Sequence, residues 1–131
     1  MSDDSIRVEL VAADRLVWSG DAKMVIARTT EGDVGILPNH APMLSLMVDG
    51  VVDVQTTDGE TWIAAVDAGF LSVAANRVSV LSEHVEMSHE IDLEQARHDL
   101  ERAKESGEND DEAQAAVRRH EARVRAAESA S

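Results

Sequence analysis

Five histidines and 26 acidic residues supply most of the side chains in this 131-residue chain that could do chemistry. A metal site needs several ligands brought together at characteristic spacing. His40, His84, His89, His98 and His120 fall in different expected elements, and the Glu94/His98 pair, one helical turn apart, is half a ligand set at best, so no metal is expected. Fourteen carboxylates in residues 1–87 could pair as a glycosidase acid and nucleophile, but an acidic chain supplies such pairs by chance. There is no cysteine, hence no thiolate ligand, no disulfide and no cysteine nucleophile. Gly-x-Ser-x-Gly, phosphate-loop and dinucleotide patterns are all missing. Neither a catalytic residue nor a cofactor is expected.

What the residues offer instead is recognition. The segment Glu31-Gly32-Asp33-Val34-Gly35-Ile36-Leu37-Pro38-Asn39-His40-Ala41-Pro42 packs two glycines, two prolines and a histidine between strands. Glycine opens backbone conformations that other residues avoid and proline stiffens the exit, so a shaped, exposed turn is expected there. Rigid irregular loops on a β-scaffold commonly bind a partner. A second feature is Arg118, Arg119, Arg123 and Arg125 within eight residues, a local reversal of sign in a chain of formal charge −14. They suit either a solvated helix face or a latch for an acidic partner surface.

The elements that must carry these groups differ between the two halves. Residues 1–87 hold six of seven glycines, both prolines and fourteen of sixteen valines; residues 88–131 hold nine alanines and no proline. The first composition favours short strands and turns, the second helix. Alternation predicts strands near 6–11, 15–19, 22–29, 43–48, 51–56, 60–66, 69–73 and 77–81 in an antiparallel β-sandwich or barrel, with Ser19-Gly20-Asp21, Asp49-Gly50, Asp58-Gly59 and Ala75-Asn76 as turns. Asp58-Gly59 is the strongest candidate for a type I′ hairpin.

In the second half, Leu93, Ala96, Leu100 and Ala103 share a helix face, with Asp92 as the cap and Gln95 three residues on. A break at 106–110 precedes a second helix, capped by Asn109 or Asp110, whose stripe is Ala113, Ala116, Val117, His120, Val124 and Ala127. The domains expected are therefore a β-sandwich over 1–87 and a helical hairpin over 88–131. A mostly alanine interface gains little on burial against the ~1–2 kcal/mol per residue that ordering costs, so the hairpin is expected to fold against the β-domain or a partner. A permanently packed, purely stabilising hairpin is the plainer alternative.

Charge and hydropathy exclude other classes. An acidic chain with no basic cluster before residue 88 repels nucleic-acid backbones and anionic lipid, and three aromatics, Trp18, Trp62 and Phe70, make no stacking platform. The longest apolar run, Trp62–Val66, is far below the ~18 residues of a membrane span. The acidic opening Met1-Ser2-Asp3-Asp4 is unlike a signal or transit peptide, which favours a bacterial cytoplasmic location.

The turn resembles the E-G-x-x-G-I-L-P-x-H-x-P signature of the ε subunit of F-type ATP synthase. Trp18-Ser19-Gly20 and Gly69-Phe70-Leu71-Ser72-Val73 add to the resemblance, the latter similar to G-G-F-L-x-V with Ala68 in place of the first glycine. The resemblance implies a sandwich of about ten strands on the rotating central stalk, bound to the γ subunit and to the polar loops of the c-ring. Motif matching puts the interface at Glu31, Gly32, Asp33, His40 and Pro42, with Asp33 toward the c-ring and His40 toward γ. It also implies a regulatory hairpin that extends toward the catalytic α/β subunits and hinders ATP hydrolysis, with Arg118, Arg119, Arg123 and Arg125 as candidate contacts. Some members of the family bind ATP through I-D-x-x-R-A; here Ile91-Asp92-Leu93-Glu94-Gln95-Ala96 has glutamine in place of arginine, which implies weak or absent ATP binding. The membrane association implied is peripheral, at the cytoplasmic face of a bacterial membrane. A free-standing β-sandwich binding module is the alternative.

Overall fold

A computed structural model of the chain describes residues 4–106 and 110–129. Nine strands come first: β1 (Ile6–Val11), β2 (Leu16–Thr29), β3 (Gly32–Ile36), β4 (Met43–Met47), β5 (Gly50–Thr56), β6 (Thr61–Val66), β7 (Gly69–Ala74), β8 (Arg77–Ser82) and β9 (Val85–Met87). A 3₁₀ turn over Ser88–Glu90 leads into the helices α1 (Leu93–Glu105) and α2 (Asp111–Ser129). The β-sandwich followed by a helical pair matches the expected fold. Nine strands are found among the described residues where about ten were implied.

The fourteen-residue strand β2 holds the two layers together. Its first half pairs with β1, and its second half lies between β3 and β5. One layer runs β3–β2–β5–β6–β9; the other runs β2–β1–β8–β7–β4 and returns to β2 at Thr29↔Met47. Two sequence expectations are corrected here. Strands 15–19 and 22–29 are one strand, because Gly20 is not a turn: a Cβ there would stand 2.8 Å from the Trp18 indole, so the glycine makes room for that ring. The sandwich is also not wholly antiparallel, since β1 and β8 pair in parallel, Arg7↔Arg77 through Val11↔Leu81.

Alternation fills the space between the layers. Ile6, Val8, Leu10, Val25, Ile36, Val52, Val54, Leu71, Val73, Val78 and Val80 are almost fully buried, and they are mostly large β-branched or leucine side chains suited to a pleated interior. Burial of that size, at about 1.5–3 kcal/mol per side chain, stabilises this half without staples.

Turn chemistry departs from expectation in an instructive way. The β5–β6 turn is a three-residue loop, with Thr56 and Glu60 bonded across it and a positive φ at Gly59 (91°) but not at Asp58. The doubly left-handed geometry expected there occurs instead at Ala75-Asn76 between β7 and β8 (φ 52° and 59°). Asn76 is held from outside its own hairpin: its Nδ2 donates to the Ser5 carbonyl at 2.9 Å and its Oδ1 accepts from the Asn39 amide at 2.7 Å. Tertiary hydrogen bonds thus offset the strain of alanine in that position.

The hairpin lies on the outer face of β5 and β6. Ile63 and Ala65 of β6 form a second apolar cluster with Ile91, Ala96, Ala122, Ala126 and Ala127, flanked by Val51, Leu93 and Val124. Four residues of β6 in succession, Ile63–Val66, are therefore buried, two on each face. Asp92 caps α1, its carboxylate accepting from the Gln95 amide at 3.1 Å, and Asp110 caps α2 through the Ala113 amide at 2.8 Å; Asn109 lies outside the described residues. The expected α2 stripe is corrected in part. Its most buried residues are Ala122, Ala126 and Ala127, while Ala113, Ala116, Val117, His120 and Val124 are half-buried.

Candidate functional site

The proline-glycine segment is more regular than expected. Its first half is the strand β3, joined to β2 by a tight turn in which the Thr29 hydroxyl donates to the Gly32 carbonyl at 2.8 Å and accepts from the Glu31 amide at 3.1 Å. Gly32 takes φ 111°, a conformation open to glycine at no steric cost. Asp33 faces Arg28 directly across the ladder, and the guanidinium holds its carboxyl below the usual carboxylate range. At the other end of β3, Leu37-Pro38-Asn39-His40 forms a turn with proline second, Asn39 left-handed (φ 65°) and the His40 amide bonded to the Leu37 carbonyl. The His40 Nδ1 lies 2.7 Å from the Ala41 carbonyl.

The motif residues therefore do not form one site. Glu31, Gly32 and Asp33 stand at one end of the sandwich, and His40 and Pro42 at the other, with the ~13 Å of β3 between them. Register shows what accompanies the first group. Thr29 pairs with Met47, Met47 with Gly69, Gly69 with Ser82, and Leu81 with Val11, so the turns after β1, β2, β4, β6 and β8 all share that end. It exposes Asp14, Glu31, Asp33 and Glu83 together with Arg15 and Arg28, the last paired with Asp33, and so forms a tip with an acidic excess.

A larger feature was not anticipated from the sequence. Leu46 pairs with Phe70, Phe70 with Leu81, Leu81 with Val11, and Val11 with Leu16. Residues paired this way point to the same side, and here it is the outside: Leu46 is 54%, Phe70 50%, Leu81 44% and Leu16 53% exposed, with Leu44 beside them at 74%. Hollows of about 420 and 580 Å³ flank Phe70. A continuous apolar row across the five strands β4, β7, β8, β1 and β2 marks an interaction surface. Composition could not show it, because Met43-Leu44-Ser45-Leu46-Met47 is apolar on both faces.

The four arginines separate by role. Arg123 donates to both Glu86 oxygens of β9, at 2.8 and 3.3 Å, and stands 3.6 Å from Asp99 of α1; Glu86 holds its guanidinium more firmly charged. Arg118 lies 3.8 Å from Asp49, Arg119 pairs with Glu112 on its own helix, and exposed Arg125 acts on Asp33 through space. Arg97 and Glu128 tie α1 to α2 at 3.0 Å. In the segment Ile91–Ala96, Asp92 acts as a cap and the Gln95 side-chain amide donates to Asp99. Among the described residues, no group of three ligating side chains could hold a metal ion, and no helix is long and apolar enough to cross a membrane.

The comparisons agree with this layout. The ATP synthase delta/epsilon-chain β-sandwich domain matches residues 5–88. The ATP synthase epsilon chain of Streptomyces avermitilis is 51% identical over 113 residues, 86% of this chain and 91% of that one. That of Streptomyces griseus is 50% identical over 121 residues, 92% and 94% respectively. In fold, the chain resembles one from the Euglena gracilis mitochondrial ATP synthase OSCP/F1/c-ring structure, with a TM-score of 0.81, 23% identity, and coverage of 95% of this chain and 81% of that one. The chain therefore belongs to the epsilon-chain family of F-type ATP synthases.

Proposed function

We propose that residues 1–87 couple the γ subunit to the c-ring rotor and that residues 88–131 regulate ATP hydrolysis. The observation that carries the coupling role is the bare apolar row through Leu46, Phe70, Leu81 and Leu16. The hairpin covers β5 and β6 of the other layer, which leaves this row as a bare apolar face for γ. The acidic tip with Glu31, Gly32 and Asp33 meets the c-ring polar loops, where a rigid carboxylate suits basic loop residues. His40 and Pro42, at the opposite end, extend the contact with γ. This arrangement needs no span of its own and keeps the chain peripheral, at the cytoplasmic face of a bacterial membrane. The α/β subunits meet the chain only when the hairpin lifts, and the arginines then exchange Asp49, Glu86 and Asp99 for acidic groups on those subunits.

The alanine interface supports the regulatory part. Each buried methyl contributes about 0.8 kcal/mol, so Ala96, Ala122, Ala126 and Ala127 hold the hairpin by a few kcal/mol, a gap that a partner can reverse. The test compares ATP hydrolysis by the assembled complex carrying the full chain or a chain ending at Met87, with subunit content checked. Faster hydrolysis in the truncated complex supports an inhibitory arm, and equal rates leave it a packing element. Phe70→Asp should abolish copurification with γ; retention of γ would remove the row from the interface. Arg125→Glu is a cleaner charge reversal than Arg123→Glu, since Arg123 pairs directly with Glu86 and Asp99 in the docked state while Arg125 acts on Asp33 only through space.

A further inference from the structure

The apolar row ends against the hairpin. The 580 Å³ hollow beside Phe70 has Leu46, Met47 and Gly69 in its lining, and its rim carries Asp49 of the β4–β5 turn and Arg118 of α2. A partner side chain entering it would touch both the β-domain and the hairpin. The charges on that rim differ in what they can still accept. Asp49 is nearly buried, at 8% side-chain exposure; its Oδ1 accepts the Ala68 amide at 2.8 Å and its Oδ2 faces Arg118. Arg118 is half exposed, and its contact to Asp49 is long, 3.8 Å from Nε. A guanidinium has five donors in a fork suited to a carboxylate. The rim therefore leaves most of the Arg118 fork open to an incoming acceptor, above an apolar lining of Leu46, Met47 and Phe70.

We infer that this hollow takes a γ segment presenting an apolar side chain next to a carboxylate, which Arg118 grips, so that γ binds the docked-hairpin form more tightly than the lifted one. This rests on the γ face proposed above. Its consequence is reciprocal: whatever factor docking of the hairpin adds to the affinity for γ, γ adds to docking of the hairpin. The coupling face then also acts as a brake on release of the regulatory arm.

The test measures the affinity of the full chain for isolated γ by calorimetry. Arg118→Ala should weaken binding by about 5- to 30-fold, the loss of one or two charge-assisted hydrogen bonds, with partial recovery in Arg118→Lys. Asp49→Asn should leave the affinity unchanged or raise it, because the amide oxygen still accepts from Ala68 while Arg118 loses its competitor. Bound γ should also slow amide exchange over Ala122–Ala127. Equal weakening by Asp49→Asn and Arg118→Ala would reduce Arg118 to a tether for the hairpin and overturn the inference. So would an unchanged affinity in Arg118→Ala while Leu46→Ala binds more weakly. If Leu46→Ala has no effect either, the γ face itself is misplaced and the inference falls with it.

Discussion

The two buried surfaces of this protein are made of different material. Between the layers lie Ile6, Leu10, Ile36, Leu71 and a set of valines, all buried in one cluster. Between the sheet and the hairpin lie mostly methyl groups, with ion pairs at the margin in place of bulk. Apolar area removed from water sets the scale of stabilisation, so the first surface is held far more strongly than the second. The arginine pairs add orientation to the second surface at modest energy, since partly exposed ion pairs contribute about 0–1 kcal/mol each.

The strongest way to break the first surface is Gly69→Ala. A Cβ at that position would lie 2.0 Å from the Leu81 carbonyl oxygen, and that oxygen is backbone fixed in the β7–β8 ladder. The strand must separate or the register shift, and we expect a loss above about 4 kcal/mol, the range reserved for such steric conflicts. Calorimetry should show collapse of the whole β-domain transition; a Tm within a few degrees of wild type would contradict the close approach.

Leu71→Ala comes next. It removes a fully buried side chain from between the layers and should cost about 2–5 kcal/mol, seen as a lower urea midpoint with unchanged slope. Ala126→Asp probes the other surface with a comparable insult, an unpaired carboxylate buried under α2. Its effect should be confined: amide exchange accelerates across α1 and α2, while strands β1, β7 and β8 keep their protection. Global unfolding of Ala126→Asp would show that the two surfaces are one cooperative unit and end the distinction. Arg123→Ala should shift the same helical exchange by a smaller amount, about 1–2 kcal/mol, because it frees Glu86 and Asp99 together.

These two surfaces were unequally legible in the sequence. The hairpin's cap at Asp92 and its alanine composition follow from local rules, and so do most of the strands. β9 escaped because three residues give alternation no room, and β3 because its glycines look like a turn. Gly20 and Gly69 look alike in a sequence, yet one makes room for a ring and the other for a neighbouring backbone. The apolar row was hidden for a related reason: Leu44, Leu46, Phe70 and Leu81 resemble core residues until register decides which side they face. The motif that revealed the family also overstated its own unity, since β3 carries its two ends to opposite ends of the sandwich.

The smallest expected effect comes from a group placed against the trend. Asp53 projects from the outer face of β5, in register between Ile26 and Ile63 and two residues from Val51. One of its carboxyl oxygens is buried without a partner, and burial holds the carboxyl above the usual range. Native proteins leave few polar atoms in that condition. A raised acid pKa favours the native state while the group is protonated, so this contribution is fully present below the ordinary value near 4 and is lost as pH rises through the raised one. Asp33 works in the opposite sense: the Arg28 pair contributes above the ordinary value and fades as pH falls through the lowered one. Asp53→Val should therefore raise stability at pH 7 by up to about 1 kcal/mol and leave a pH profile in which only the Asp33 type of limb remains. Urea midpoints at pH 4 and pH 7 measure it. An unaltered difference between the two pH values would mean that Asp53 is solvated in the native protein and that the seam beneath the hairpin is wetter than its alanines suggest.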